Sequence, residues 1–162
     1  MAIAPKLRSY LEANDILYRP VPHDWSRTAA RAAHACHVPE VCFAKSIALK
    51  SDDGPVLAVL PASRRLTLGE VWREMHGTFH PMREAELAEL FDDCEAGALP
   101  PVGEPYGVRT IVDWTLYENP EIYTEAGDHR TALVMDWAEF ARLTAGLVNG
   151  RIGHDPVFAA RP

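Results

Sequence analysis

The sequence has few cysteines, no long apolar run and a deficit of basic residues. Its three cysteines, Cys36, Cys42 and Cys94, are odd in number and form no CxxC pair, so a disulfide framework is not expected. No apolar segment approaches the roughly 18–20 residues that span a bilayer. The first residues also lack the basic-then-apolar pattern of a signal peptide. These absences predict a cytoplasmic protein without a membrane segment.

The charge balance argues against one class of nucleic-acid-binding protein. The 162 residues include 23 acidic side chains against 16 Lys and Arg, which gives a formal net charge of −7. A protein that holds nucleic acid mainly by releasing counterions needs a basic surface, so we expect no DNA partner. Contact with one small part of a nucleic acid stays open. Hydrophobic residues make up 48% of the chain, which is typical of a folded protein with a buried core.

Apolar periodicity predicts interspersed helices and strands. Thr28 is expected to cap the second helix, and Thr67 with Glu70 to form a capping box that opens the third. The predicted helices cover residues 3–14, 29–36, 68–75, 83–91 and 137–144. The predicted strands cover residues 16–23, 41–50, 55–62, 108–114, 121–126 and 130–135.

This order of elements predicts a single α+β domain. Several neighbouring strands are joined by short turns, which favours a mixed and mostly antiparallel sheet flanked by helices over a doubly wound parallel one. We expect the domain to cover residues 1–148. Residues 149–162 have weak patterning and are expected to form a loosely ordered C-terminal tail.

Common catalytic signatures are missing. The motifs GxGxxG, GxxxxGK[ST], HExxH and GxSxG are absent, which removes the simplest nucleotide-binding, zinc-protease and serine-hydrolase interpretations. The cluster His34, Cys36 and His37, with Cys42 nearby, is an alternative metal site. Ordinary packing at a helix end explains it better, because spacing alone is a weak signal. We therefore predict no metal and no cofactor.

Three features remain as candidates for a site. Lys45 lies in the otherwise apolar segment FAKSIALK, where a lysine must reach solvent, pair with an anion or meet a ligand. The segment 95–107 contains three glycines and three prolines between a helix and a strand. Because a linker there would separate strands of one sheet, we expect a loop whose backbone approaches a ligand. Gly127 and His129 belong to a segment that also suits an ordinary hairpin turn.

Taken in order, these segments resemble the YbaK / prolyl-tRNA-synthetase-associated editing domain family. That family has a Thr-led, alanine-rich helix, a strand with one key lysine, a G-x-x-x-P-x-G loop and a late glycine-containing turn, often with His. The resemblance covers about residues 5–145. The corresponding segments here are TAARAAHACHVP (28–39), FAKSIALK (43–50), GPVLAVLPA (54–62), GALPPVGEPYG (97–107) and YTEAGDHRTALVM (123–135).

The resemblance implies a curved, barrel-like mixed sheet and hydrolysis of the ester that joins a wrong, small amino acid to tRNA. The substrate would be the acceptor end of an aminoacyl-tRNA, handled in trans by a freestanding protein that can associate with prolyl-tRNA synthetase or another synthetase. The implied catalytic residues are Lys45, Gly97, Pro101 and Gly103. The implied substrate-binding residues are Thr28, Ser46, Leu99, Pro100, Gly127 and His129.

One position departs from the family pattern. Members that clear alanine from proline tRNA often have Asn directly after the lysine, where this chain has Ser46. Two other classes of function remain as alternatives. One is a non-catalytic tRNA-binding or regulatory module, and the other is a small-molecule-binding protein that uses the same concavity.

Overall fold

Within residues 3–156, which the structure describes, helices and strands alternate along the chain as the sequence predicts. The structure is a computed structural model. Its α-helices are α1 (Pro5–Ala13), α2 (Ala29–Ala35), α3 (Leu68–Met75), α4 (Glu84–Leu90) and α5 (Trp137–Leu143). Its strands are β1 (Arg19–Pro22), β2 (Phe43–Lys50), β3 (Val56–Pro61), β4 (Arg65–Leu66), β5 (His80–Pro81), β6 (Arg109–Asp113), β7 (Glu121–Glu125), β8 (Thr131–Asp136), β9 (Val148–Gly150) and β10 (Gly153–His154).

Eight of these strands form one mixed sheet with the order β1-β8-β7-β2-β3-β6-β9, and β5 pairs with β2 beside this path. The β1–β8, β7–β8, β2–β3 and β2–β5 pairs are antiparallel, whereas β2–β7, β3–β6 and β6–β9 are parallel. The predicted α+β fold with a mixed, mostly antiparallel sheet is therefore confirmed. The sheet stays open and does not close into a barrel.

The main sheet is covered on both faces. On one face, α1 and α5 contribute Leu7, Leu11 and Phe140 to the largest core cluster. On the other face, the small Ala32 and Ala33 of α2 pack in a cluster with Phe43 of β2. Small alanines let α2 approach the sheet closely, which places the N-terminal end of α2 beside the middle of β2. No helix within residues 3–156 is long and apolar enough to cross a membrane.

Of the two helix caps predicted at Thr28 and Thr67, the structure contains the first and lacks the second. Thr28 is the N-cap of α2, and its Oγ1 accepts a hydrogen bond from the N–H of Arg31 at 3.2 Å. Thr67 precedes α3, but it makes no side-chain cap. Its hydroxyl instead bonds Nδ1 of His154 at 2.6 Å. The predicted capping box is therefore wrong, because a contact from far along the chain takes the threonine.

Residues 149–154 are not the loose tail that weak patterning suggested. Strand β9 pairs with β6, and β10 pairs with β4. Between these strands, Ile152 is fully buried. The Oδ2 atom of Asp113 accepts hydrogen bonds from the N–H groups of Ile152 and Gly153 at 3.0 and 2.9 Å. The anchor is about 40 residues upstream, so local pattern could not reveal it. Residues 157–162 lie outside the described part of the chain.

Candidate active site

A cleft of about 340 Å³ lies where the start of α2, strand β2 and the loop after α4 meet. Three of its lining residues can ionise: Arg27, Lys45 and Glu125. Its complete lining is Arg27, Thr28, Ala29, Ala30, Lys45, Ser46, Ile47, Ala62, Gly97 and Glu125. Four of the ten residues expected from sequence, Thr28, Lys45, Ser46 and Gly97, therefore meet at one concave surface.

Lys45 projects from β2, the strand that pairs with both β3 and β7 in the main sheet. Its side chain is half-buried, and burial lowers its pKa, helped by the positive charge of Arg65 and opposed by the carboxylate of Glu40. Among residues 3–156, no hydrogen-bond acceptor or ion-pair partner engages its ammonium group. A partly desolvated cation without a fixed partner is available to an anionic or strongly polar ligand.

Gly97 brings exposed backbone to the cleft. Its φ of 83° is a left-handed conformation that favours glycine. A Cβ there would lie 3.4 Å from Cε1 of His129. The neighbouring N–H groups of Glu95 and Ala98 bond to backbone carbonyls. Within the described residues, the N–H of Gly97 has no such acceptor, so it can donate to a ligand.

Ser46 fastens the Gly/Pro-rich loop to the sheet. Its hydroxyl donates a hydrogen bond to the backbone carbonyl of Pro100 at 2.7 Å, across 54 residues of sequence. Thr28 lies at the opposite rim, where its Oγ1 caps α2. Both side chains therefore line the cleft and also hold its walls in place.

The remaining predicted loop residues lie behind the cleft. Leu99 belongs to the main core, and Pro100 and Pro101 are buried. Gly103 is required by close packing, since a Cβ would lie only 2.6 Å from the carbonyl oxygen of Val108. These residues are absent from the cleft lining. They determine the course of the loop that presents Gly97.

Gly127 and His129 support the same loop from outside the cleft. A Cβ on Gly127 would lie 2.9 Å from Cβ of Ala4, and its carbonyl accepts the N–H of Glu95 at 2.7 Å. His129 is 5% exposed and donates from Nε2 to the carbonyl of Ala96 at 2.5 Å. Because its protonated nitrogen is engaged with the backbone one residue before Gly97, the histidine is placed to position the loop.

Glu125, the last residue of β7, was not among the residues predicted from sequence. It is only 2% exposed, and both carboxyl oxygens are buried without a hydrogen-bond partner within the described residues. Burial, with a contribution from the carboxylate of Asp128, raises its pKa to about 8. A buried carboxyl group without a partner is unusual, because it forfeits the hydrogen bonds it had in water. Such a group in a cleft is a candidate for a functional position.

A shallower groove of about 560 Å³ adjoins the cleft and shares Arg27 with it. It is also lined by Trp25, Ser26, Arg31 and His34. The indole of Trp25 is 51% exposed and packs against the His129 ring, with 5.4 Å between ring centroids. Exposed aromatic rings beside guanidinium groups suit nucleotides, which offer a flat base and a phosphate.

Neither a metal site at the His34 cluster nor a reactive cysteine is supported by the geometry of the described residues. His34 pairs with Glu40, with 3.4 Å between Nε2 and Oε2. Over residues 3–156, no group of three His, Cys, Asp or Glu side chains could hold a metal ion. Burial raises the pKa of Cys94 to about 12 and also raises those of Cys36 and Cys42. Thiols with raised pKa values are poor nucleophiles at neutral pH.

The fold and the site describe a small α+β protein whose mixed sheet holds a lysine at a cleft that Gly97 also lines. Residues 23–143 match the model of the aminoacyl-tRNA editing domain. The chain therefore belongs to the aminoacyl-tRNA editing domain family, as the sequence resemblance indicated. No curated protein matches the chain in sequence.

Solved structures confirm the fold. One, described as a candidate trans-editing enzyme for prolyl tRNA synthetase, is 24% identical with a TM-score of 0.80, and the match covers 93% of this chain and 96% of the other. A hypothetical protein is 22% identical with a TM-score of 0.82, and the match covers 92% and 99%. A candidate signal transduction protein from Marinobacter aquaeolei VT8 is 19% identical with a TM-score of 0.73, and the match covers 93% of this chain but 30% of the other.

Proposed function

We propose that this protein is a freestanding aminoacyl-tRNA deacylase that hydrolyses the ester of a tRNA mischarged with a small amino acid. Its site of action would be the cytoplasm, alone or in association with prolyl-tRNA synthetase or another synthetase. One observation supports the proposal most directly. Lys45 and Gly97 line the same cleft, and the ammonium of the one and the N–H of the other have no partner among the described residues, in a chain of the editing family.

The chemistry suits these groups. An aminoacyl ester is an activated acyl group, so a positioned water can attack its carbonyl carbon without a protein nucleophile. The water oxygen bonds to that carbon, the bond to the ribose oxygen breaks, and a proton from the water passes to the ribose oxygen. Negative charge develops on the carbonyl oxygen, and one preorganised donor aimed at it is worth ~3 kcal/mol. The N–H of Gly97 is our candidate donor.

Lys45 would act as a compact cation. Its position at the cleft allows its ammonium to hold either the ester region or the terminal phosphate. Neutral cleft residues, including Ser46 and Thr28, would surround the acyl group, while the buried Pro101 and Gly103 fix the loop behind Gly97. The cleft is near the lower end of ligand-pocket volumes, about 300 Å³ and upward, which favours a small acyl group.

The groove beside the cleft offers a place for the terminal nucleotide. A base can stack on the exposed ring of Trp25, while Arg27 and Arg31 approach its phosphate. These cations form a local basic patch on a chain whose net charge is −7. Contact with a short acceptor end, and not with a long stretch of nucleic acid, is compatible with that acidity.

A panel of mischarged tRNAs tests the proposal. The purified protein is incubated with tRNAs carrying different amino acids, and the rate of ester loss is compared with the rate in buffer. We expect accelerated hydrolysis of one or more tRNAs carrying a small amino acid. Tight tRNA binding without hydrolysis would instead support a non-catalytic tRNA-binding module. Neither binding nor hydrolysis would leave the small-molecule-binding alternative.

A further inference from the structure

Glu125 is the acidic member of the cleft lining, and the other ionisable groups there, Lys45 and Arg27, are basic. Both cations suit phosphate or a developing oxyanion. An aminoacyl ester also carries a cation, the α-ammonium of the amino acid, which Lys45 and Arg27 would repel. A ligand of that kind needs an anion within the same cleft.

Without a ligand, burial of the unpaired Glu125 carboxyl group destabilises the folded protein. Its strand neighbours on the α2 side of the sheet belong to an apolar cluster that includes Phe43 and Ala132. A glutamine, leucine or alanine there would avoid burying an unpaired carboxyl group, which is destabilising when its hydrogen bonds are unmade. The cost is explained if a ligand supplies the missing donors.

We propose that the carboxylate of Glu125 receives the α-ammonium of the amino acid esterified to tRNA, so that the protein selects esters with a free amine over N-acylated ones. This inference rests on the proposed deacylase function and adds a substrate class to it. The ammonium donates hydrogen bonds to the two carboxyl oxygens that are unpaired in the structure. N-acylation removes both the charge and two of the donors, so an N-acylated ester loses the interaction.

The surrounding charges determine how this contact depends on pH. Burial raises the pKa of Glu125, and Asp128, in the turn after β7, raises it further. Burial also raises the pKa of Cys36, the C-cap of α2, with a smaller contribution from Glu125. Lys45 on the adjacent strand and Arg27 line the same cleft. With its pKa near 8, the free carboxyl is largely protonated at neutral pH. Ammonium binding therefore displaces a proton, which passes to the buffer.

The test uses two unreactive substrate analogues. Both carry alanine in an amide bond to 3′-amino-3′-deoxyadenosine, and in one of them the alanine amine is acetylated. Binding is measured by calorimetry at neutral pH in two buffers of different ionisation enthalpy. For the unmodified protein we expect at least about 10-fold tighter binding of the free-amine analogue, as for a charge-assisted hydrogen bond, together with proton release. Equal affinities for the two analogues overturn the assignment without recourse to any variant.

Two variants assign the effect to one side chain. Glu125→Gln keeps the shape but lacks the charge, so we expect the ratio of affinities to fall toward one and proton release to disappear. Glu121→Gln changes an exposed residue of the same strand and should keep both. A ratio unchanged in Glu125→Gln overturns the assignment. If neither analogue binds while the intact substrate is still hydrolysed, this inference alone fails; if hydrolysis is absent too, the proposed function fails with it.

Discussion

Lys45 and Glu125 lie side by side on the same face of two parallel strands. Phe43 pairs with Tyr123 and Ala44 with Thr124 in the β2–β7 ladder, so the next residues along each strand are this lysine and this glutamate. Both line one cleft. Within residues 3–156, no hydrogen bond or ion pair joins the Lys45 ammonium and the Glu125 carboxyl group to each other or to another residue. A basic and an acidic group held together without mutual neutralisation can contact different parts of one ligand.

The raised pKa of Glu125 predicts a pH-dependent stability. The folded protein holds this proton more tightly than the unfolded chain, with the pKa moving from 4.5 to about 8. The protonated Glu125 contributes its full stabilisation below pH 4.5, and this contribution is lost as the pH rises to about 8. The free energy of unfolding falls over that range by an amount on the order of several kcal/mol. Thermal unfolding between pH 5 and 8 should therefore show a falling melting temperature.

Glu125→Gln is the control for this fall of the melting temperature with pH. The amide does not titrate, so we expect the variant to gain stability relative to the unmodified protein as the pH rises. Glu121→Gln, at an exposed site on the same strand, should follow the unmodified protein. Parallel curves for the unmodified protein and Glu125→Gln would show that Glu125 keeps an ordinary pKa.

Gly97→Ala tests the exposed backbone at the cleft. Alanine in a left-handed conformation costs about 1 kcal/mol, and its methyl group would contact the ring of His129. Gly107→Ala is a matched control, since Gly107 has a φ of 71° and no atom within 4 Å of an added Cβ. We expect a similar loss of stability in both variants, and a large loss of deacylation rate at Gly97 only. Equal activity in the two variants would remove Gly97 from the site.

Trp25→Ala tests the groove that we assign to the terminal nucleotide. Loss of base stacking on an aromatic ring costs about 1–3 kcal/mol, so KM should rise about 10-fold or more with a small change in kcat. Trp72→Ala is the comparison, because Trp72 is 56% exposed and lies on α3. A lower kcat with unchanged KM would place Trp25 in loop positioning, through its contact with His129.

The sequence predicted the elements better than it predicted the site. Thr28 capped its helix as expected because an N-cap is a local contact. Thr67 did not cap its helix, because its hydroxyl forms a hydrogen bond with His154, which lies 87 residues further along the chain. The resemblance implied a catalytic role for Gly103 and substrate binding for Gly127, but the close neighbours of these glycines are Val108 and Ala4, and neither glycine lines the cleft.

Glu125 could not have been found from the pattern of its strand. A charged residue at the end of a strand ordinarily faces solvent. Its burial depends on α2 covering that face of the sheet, and α2 comes almost 90 residues earlier in the chain. Lys45 was identifiable because charge inside an apolar run is unusual within the segment itself. The burial of Glu125, in contrast, depends on tertiary contacts.

The central claim is that Lys45 takes part in ester hydrolysis at this cleft. Its most direct test is single-turnover deacylation of the best substrate of the tRNA panel by the unmodified protein, Lys45→Ala and Lys50→Ala. Lys50 belongs to the same strand but is exposed and pairs with Glu86 at 3.1 Å. We expect Lys45→Ala to lose at least about 100-fold in rate, with near-native unfolding, and Lys50→Ala to keep its rate. Hydrolysis by Lys45→Ala at the unmodified rate would contradict the account.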